Sequence, residues 1–426
     1  MARLLQLSPG VAPFDATLSL MLGIVRIFRR QGLYRNYDIA ARHVPAGFRI
    51  KGQGISGNRV HPLEDLDPRR YSAEDLLIYH HGIACDAEGF IRQFPGSRFI
   101  VYHGLTPARF YLPYNLTVAG RLERGRRELQ RLASAFERAY CFSRVTEADL
   151  RESGYLNIRK VDPPLQDVWT IPGPGPSSPE GLPPLYDQKF DRTMQVRTGK
   201  TIPSEEQAEE ASSTATSTDT ARDTETVTDT ATSCTGSKKG PMLLSVGRIV
   251  PNKNHEPLIR MMSYLMSIHP EARLVFAGEL RPGLDYYHRH LKDLVRTLGL
   301  QDNVEFTGLI DTPELQRLWN ESDIYICSSL HEGYCLPLVE AMVRNRPVVY
   351  LRYPGSAAAE TMDGAGLGFS PMNPLILSEM ISELHTNDTL YQNIVRTQQQ
   401  RLQQLQPEEL AQDIVNQLAL VGGVDD

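Results

Sequence analysis

Residues 241–279 read PMLLSVGRIVPNKNHEPLIRMMSYLMSIHPEARLVFAGE, and their pattern decides the architecture. Met242–Val246 and Arg273–Ala277 are short apolar runs closed by glycine and polar residues. Between them, Glu256–Ile268 places its large side chains at helical intervals. The alternation continues downstream. Val304–Phe306, Ile324–Cys327 and Pro347–Leu351 read as further buried strands, and Tyr286–Leu298, Pro313–Trp319 and Leu336–Arg344 as helices. Strand and helix in strict turn predict right-handed βαβ units, hence a parallel sheet covered on both faces.

The first half carries the same signature with more interruption. Leu4–Leu7, Leu76–Tyr79, Phe99–Tyr102, Arg138–Phe142 and Ile158–Val161 are expected strands, and Leu18–Arg30, Leu116–Phe136 and Thr146–Glu152 expected helices. With 426 residues the chain exceeds one compact core. The composition breaks at residues 201–237, almost half Ser and Thr, after a Pro/Gly-rich stretch from Pro172 to Pro184. Such a segment buries too little apolar surface to offset its ordering entropy, so a disordered connector is expected there. The domains expected are 1–171, the connector 172–239, a second domain 240–406, and a C-terminal helix and tail at 407–426. Two doubly wound α/β domains then face each other, and open sheets of this kind bind ligands beyond the carboxyl ends of their strands.

Forty-five Lys and Arg against 51 Asp and Glu give a formal charge of −6, which makes nucleic acid a poor partner. No apolar run approaches the ~18–20 residues of a membrane span, and no signal-peptide pattern opens the sequence. The five cysteines form neither an even disulfide set nor a CxxC zinc pattern, and a reducing cytoplasm is expected.

Two stretches carry chemistry. Ser329-Leu330-His331-Glu332-Gly333-Tyr334-Cys335-Leu336-Pro337 follows the strand Ile324–Cys327 and enters a helix with Pro337 in its first turn, where the missing N–H costs nothing. The free N–H groups around Gly333–Leu336 and the helix dipole make an anion site. Glu332 before the helix and Glu340 two turns inside it are too far apart to share a proton but suit different hydroxyls of one extended ligand. Gly247-Arg248-Ile249-Val250-Pro251-Asn252-Lys253 leaves the carboxyl end of Met242–Val246, and an Arg and a Lys five apart beside an anion site suit a diphosphate. The loop is not a P-loop, and no G-x-G-x-x-G fingerprint occurs, which disfavours a hydride-transferring dinucleotide enzyme.

Together these stretches resemble the family-4 retaining glycosyltransferases of GT-B fold. The resemblance rests on Ser245-Val246-Gly247-Arg248 with Lys253; Val304-x-Phe306-x-Gly308; Glu332-Gly333-x-x-x-Pro337-x-x-Glu340-Ala341; Arg346-Pro347-Val348-Val349; and Glu360-x-x-Asp363-Gly364-Ala365-Gly366-Leu367. A looser match in the first half, at Tyr102-His103-Gly104-Leu105-Thr106-Pro107, Gly125-Arg126-Arg127-Glu128-Leu129 and Ser143…Leu150…Gly154-Tyr155, is similar to the subgroup that builds bacterial surface polysaccharides. The resemblance implies a GT-B enzyme that moves a hexose, of mannose or glucose type, from a UDP- or GDP-linked donor to a glycan or lipid-linked acceptor. It implies that Arg248 and Lys253 neutralise the diphosphate, that Glu332 contacts the sugar, and that Glu340 contacts the ribose. Phe306, Thr307, Gly308 and Leu309 would line the base pocket. Gly247, Gly333 and the main chain at Cys335 and Leu336 would approach the phosphates, and His103 would face the reacting sugar. No cofactor is implied. Nothing in the sequence resembles an Asp-x-Asp poised to hold a metal against a diphosphate, so no metal is expected. The alternatives are an epimerase or phosphorylase on the same fold, or a catalytically silent sugar-nucleotide scaffold.

Other signals are weaker. The N-terminal loop Pro9–Ala16 lacks the family's obvious glycine pattern, and Asn345, where glycine is usual, tolerates a left-handed cap. His80 and His81 end a strand and either reach the cleft or serve the core. The arginine-rich segment Gly120–Tyr140 reads as one helix, either a solvated face with i,i+4 pairs or a peripheral contact with anionic lipid. Leu18–Arg30 reads as a core-covering helix.

Overall fold

The computed structural model describes residues 2–12, 16–34, 36–50, 55, 59–164, 240–370 and 372–422. Residues 13–15 of the N-terminal loop and the connector expected at 172–239 lie outside the described residues. Among the described residues two all-parallel sheets form. The first contains β1 (Arg3–Gly10), β2 (Asn36–His43), β3 (Val60–Pro62), β4 (Leu76–His81), β5 (Ser97–Tyr102), β6 (Arg138–Cys141) and β7 (Ile158–Lys160), in the order β3-β2-β1-β4-β5-β6-β7. The second contains β8 (Met242–Val246), β9 (Arg273–Ala277), β10 (Val304–Gly308), β11 (Ile324–Cys327), β12 (Val348–Leu351) and β13 (Leu367–Phe369), in the order β10-β9-β8-β11-β12-β13. In each sheet the first strand lies inside and the winding reverses beside it, between β1 and β4 and between β8 and β11. Those two switch points set where loops diverge and leave a crevice.

The helices are α1 (Ala16–Arg30), α2 (Glu88–Gln93), α3 (Leu116–Arg131), α4 (Arg144–Glu152), α5 (Glu256–Ile268), α6 (Asp285–Thr297), α7 (Thr312–Glu321), α8 (Leu336–Val343), α9 (Ala358–Met362), α10 (Pro374–Thr386), α11 (Asp388–Gln404) and α12 (Glu409–Gly422). As expected, α1 covers the core, burying Leu18, Leu20, Met21, Leu22, Ile24, Val25, Ile27 and Phe28. α12 returns to the first sheet. Its Asp413 accepts from Arg138 (2.8 Å) and from the Tyr140 hydroxyl (3.0 Å), and Glu409 accepts from Arg159 (3.2 Å).

The helix expected over Gly120–Tyr140 is shorter than its charge pattern implies. It stops at Arg131, and Arg138 already pairs with Phe99 as the first residue of β6. Its charges are also arranged differently. Glu128 turns inward, 1% exposed, and accepts from the Tyr79 hydroxyl at 2.6 Å and the Asp86 N–H at 2.7 Å, anchoring the loop after β4. Arg131 reaches Glu88 on α2 at 2.7 Å instead of pairing along its own helix. No described helix is long and apolar enough to cross a membrane.

Candidate functional site

The loops after β8 and β11 leave neighbouring strands at the second switch point and are bonded to each other. Past β8, Gly247 has φ +145°, and a Cβ there would sit 3.4 Å from Lys253 Cε, so glycine leaves room for the lysine to fold back. A 3-10 turn at Pro251–Lys253 follows, closed by Asn254 in the left-handed region. Ser328 Oγ lies 2.9 and 2.8 Å from the carbonyls of Lys253 and Asn254, the Leu330 N–H donates to the Asn252 carbonyl at 2.8 Å, and the Asn252 side-chain amide donates to the His331 carbonyl at 3.2 Å.

This stitching brings Lys253 Nζ to 2.5 Å from Glu332 Oε1. Burial by itself would depress the lysine, but the attraction of Glu332, with Cys335 and Cys327 beside it, outweighs burial and raises its pKa. Burial would likewise raise Glu332, and Lys253 overrides it, holding the carboxyl below its usual range. Both are therefore charged near neutrality.

Glu332 is held from behind, its carbonyl accepting from the Ala357 N–H at 3.1 Å, and the next loop carbonyl, Tyr334, accepts from the Thr361 hydroxyl. Cys335 caps α8 with φ +72°, Leu336 is its first residue, and Pro337 stands in the first turn as expected. The leading N–H groups of α8 thus open beside the Lys253–Glu332 pair. Glu340 lies further along α8, its pKa raised by burial against the opposing pull of Arg344. Arg344 is fixed over the Trp319 ring at 4.9 Å and donates to the Glu340 carbonyl at 2.9 Å.

Arg248 is exposed on the same loop as Lys253. Burial raises the hydroxyl of Tyr111, in the first half, and Arg248, Arg281 and Lys253 pull it back. Arg281 is depressed by burial and by Arg248, with Tyr111 and Glu279 pulling the other way. Sequence reading missed Arg281, which sits in the β9–α6 loop without a motif; its link to the site is the Ile249–Leu280 bridge. Phe306 stacks on Phe276 (centroids 5.1 Å apart, 22° between planes), Gly308 has φ +69°, and Leu309 is 66% exposed. These three stand at the end of β10, two strands from the lysine.

His103 follows β5, and its ring is held by a chain whose hydrogens can be assigned. The Gln6 amide nitrogen donates to the Met21 carbonyl at 2.8 Å, so its oxygen accepts from His80 Nε2 at 2.9 Å. His80 Nδ1 is then bare and accepts from His103 Nε2 at 3.0 Å. Neutral His103 is thereby left with its lone pair on Nδ1. His80 thus fixes the His103 ring, and His81 packs beside Glu128 (3.8 Å). The main chain of His103 also touches the second half: a Cβ on Gly333 would fall 2.0 Å from the His103 carbonyl oxygen.

An Asp-x-Asp triplet does occur, at Asp65-Leu66-Asp67, but Asp65 faces Arg59 (3.4 Å) and Asp67 faces Arg69 (3.0 Å) on the first-half surface. Asn345 takes the left-handed cap its side chain permits, φ +57°. The cysteines, scattered in sequence, are not all apart in space: Cys327 at the end of β11 and Cys335 at the start of α8 bring their sulfurs to 3.8 Å because the intervening loop folds back.

Burial holds His103 at about 4 and His81 and His255 at about 3, against roughly 6.5 in an unfolded chain. Groups depressed on folding lend stability that is complete above the unfolded value and lost as pH falls toward the folded one. The thermal midpoint is therefore expected to drop steadily between about pH 6.5 and pH 4, and His81→Phe should flatten that slope; a flat profile in the wild type would disprove it.

Residues 233–401 match the family described as Glycosyl transferases group 1. Among curated proteins, the chain is 30% identical over 152 residues to mannosylfructose-phosphate synthase of Agrobacterium fabrum, covering 32% of this chain and 33% of that one. It is 35% identical over 123 residues to D-inositol 3-phosphate glycosyltransferase 2 of Catenulispora acidiphila, covering 28% and 29%. The chain thus spans about a third of the length of these relatives. Among solved structures, HepE of Anabaena in complex with UDP and glucose superposes with a TM-score of 0.64 at 13% identity, over 98% of this chain and 99% of that one. Sucrose-phosphate synthase of Thermosynechococcus elongatus gives 0.61 at 15% identity over 98% of each. At such identities the likeness concerns the fold: two Rossmann-like domains in the GT-B arrangement, the second similar in sequence to group 1 glycosyl transferases.

Proposed function

We propose that this protein is a metal-independent, retaining glycosyltransferase of family 4. It moves a hexose from a UDP- or GDP-sugar to a hydroxyl of a glycan or lipid-linked acceptor in surface polysaccharide or glycoconjugate synthesis. The observation that carries the reading is Lys253 paired with Glu332 just before α8, with Arg248 on the same loop and Arg281 near enough to act with both on Tyr111. In this reading the diphosphate lies across those cations and the N–H groups at Cys335 and Leu336. The departing phosphate gains charge as the sugar bond breaks, and donors fixed in advance stabilise it without reorganisation. Glu332 accepts from sugar hydroxyls and Glu340 from the ribose, while the base rests near Phe306, Gly308 and Leu309. His103 faces the sugar from the first half. Retention follows from front-face attack, the leaving phosphate oxygen taking the acceptor's proton. HepE, the structural neighbour, holds UDP and glucose, which supports a nucleotide-sugar donor.

The test is nucleotide release from UDP- and GDP-hexoses with and without a panel of glycan and lipid-linked acceptors, with product configuration read by NMR. Acceptor-dependent release with the anomeric configuration kept is the expected result. An inverted product would reject the retaining mechanism. Turnover of the donor without any acceptor, or binding without turnover, would favour the epimerase or scaffold readings.

A further inference from the structure

Beneath the proposed donor site, Cys327 and Cys335 are 4% and 5% exposed, with their sulfurs 3.8 Å apart. Two thiols and a Glu332 carboxylate oxygen all lie within 4.8 Å of one another. We propose that Cys327, Cys335 and Glu332 form an inhibitory site for a thiophilic divalent cation of the zinc or cadmium type.

Geometry favours it. A tetrahedral ion with metal–sulfur bonds of about 2.3 Å requires its two sulfurs roughly 3.8 Å apart, the separation already present. The carboxylate has only to swing in by about an ångström to complete three ligands, each close to its usual bond length. A small cavity beside Cys327, lined by Ser245, Gly247, Lys253, His255 and Ser329, offers space for about one water-sized ligand.

Charge also balances. With Lys253 and Glu332 both charged, a dication held by two thiolates brings the sum of the site to zero, any proton still on a thiol passing to solvent. Soft sulfur ligands select zinc or cadmium over magnesium or calcium. Occupancy draws Glu332 off Lys253, which stand 2.5 Å apart in the metal-free state, and ties the opening of α8 to the end of β11. Inhibition rests on the donor-site reading above; binding of the ion does not.

The experiment titrates the full chain with cadmium, its thiols kept reduced by a phosphine, and follows the ultraviolet thiolate-to-cadmium charge-transfer band. One ion per chain is expected, with zinc displacing it. Cys327→Ser and Cys335→Ser should each weaken binding by more than the roughly 10–100-fold that outer-shell changes cost, with Cys335→Ala as a second variant should serine disturb the fold. A Cys85/Cys141/Cys234→Ser variant should keep the band. No band, or one that survives loss of both Cys327 and Cys335, would overturn the site. A band that comes and goes with these cysteines, while UDP and GDP affinity is indifferent to zinc, would leave the metal site standing and remove the diphosphate from it.

Discussion

Lys253→Met is expected to lower kcat/KM by about 10²–10³, the loss that follows removal of one preorganised charge-stabilising donor. Methionine keeps the length and most of the volume of the lysine stem, so packing against Gly247 survives while the ammonium is gone. The remaining carboxylate is then the problem. Glu332 owes its ionised state to Lys253, because burial by itself favours the protonated form. Removing one partner of a mostly buried pair leaves an uncompensated charge, a far larger disturbance than the net worth of the pair. Two effects therefore coincide in the single variant: lost stabilisation of the leaving phosphate, and lost stability of the fold. The double variant Lys253→Met/Glu332→Gln separates them. It should recover most of the thermal midpoint while activity stays low, because the neutral amide no longer needs a counter-charge and the diphosphate still lacks its cation. Recovery of activity along with stability would show that Lys253 only balances Glu332. Unchanged kcat/KM in the single variant would refute the phosphate assignment altogether.

The two halves of the chain were not equally legible. Strands β8, β9, β11 and β12 are buried on both faces, so they read as unbroken apolar runs whose bounds the structure reproduces to within a residue or so. β2 was invisible because NYDIAARH mixes charge into a strand that is only partly buried, and β3 and β13 are three residues each, too short for any period. The helix α3 was overextended because an arginine-rich pattern continues past the point where Leu132 and Ala135 turn into the core and β6 begins. In the site, residues consecutive in a motif were found together, and those supplied by distant loops were not. Lys253 and Glu332, 79 positions apart, were each legible from their own recognisable stretch, but the ion pair between them was not. Arg281 and Gln6 have no such context. Arg281 reaches the cations only because β9 lies beside β8, and Gln6 reaches His103 only through His80 on the neighbouring β4. Their roles are properties of strand order, which local pattern does not carry.

Gly333→Ala should reduce kcat/KM by about 10²-fold or more while leaving nucleotide affinity nearly unchanged. Gly333 has an ordinary backbone conformation, so its need for glycine is one of space. The added Cβ would lie 2.0 Å from the His103 carbonyl oxygen and 2.9 Å from its carbon, both main-chain atoms that no rotamer change moves aside. Gly104, with φ +89°, meets Gly333 from the other side, a Cβ there falling 3.1 Å from the Gly333 Cα. Relief therefore comes only from moving one loop away from the other by more than an ångström. Neighbouring contacts hold the two halves in the present register: the Asn115 amide on the Gly283 carbonyl at 2.7 Å, Tyr114 edge-on to Tyr287, and Lys160 on Glu360 at 2.6 Å. The two polar links are exposed and individually weak, and they yield before a backbone overlap does. The alanine variant is thus expected to sit slightly open, which under the proposed function would displace His103 from the sugar assigned to Glu332. A misplacement of about an ångström costs roughly 10²-fold where reacting groups must be aligned. The cations and the α8 N–H groups belong to the second half alone, so the rise in melting point with UDP or GDP should persist. Activity within twofold of the wild type would mean that this contact between the halves is incidental, and loss of the nucleotide-induced rise would mean that Gly333 serves the phosphate directly.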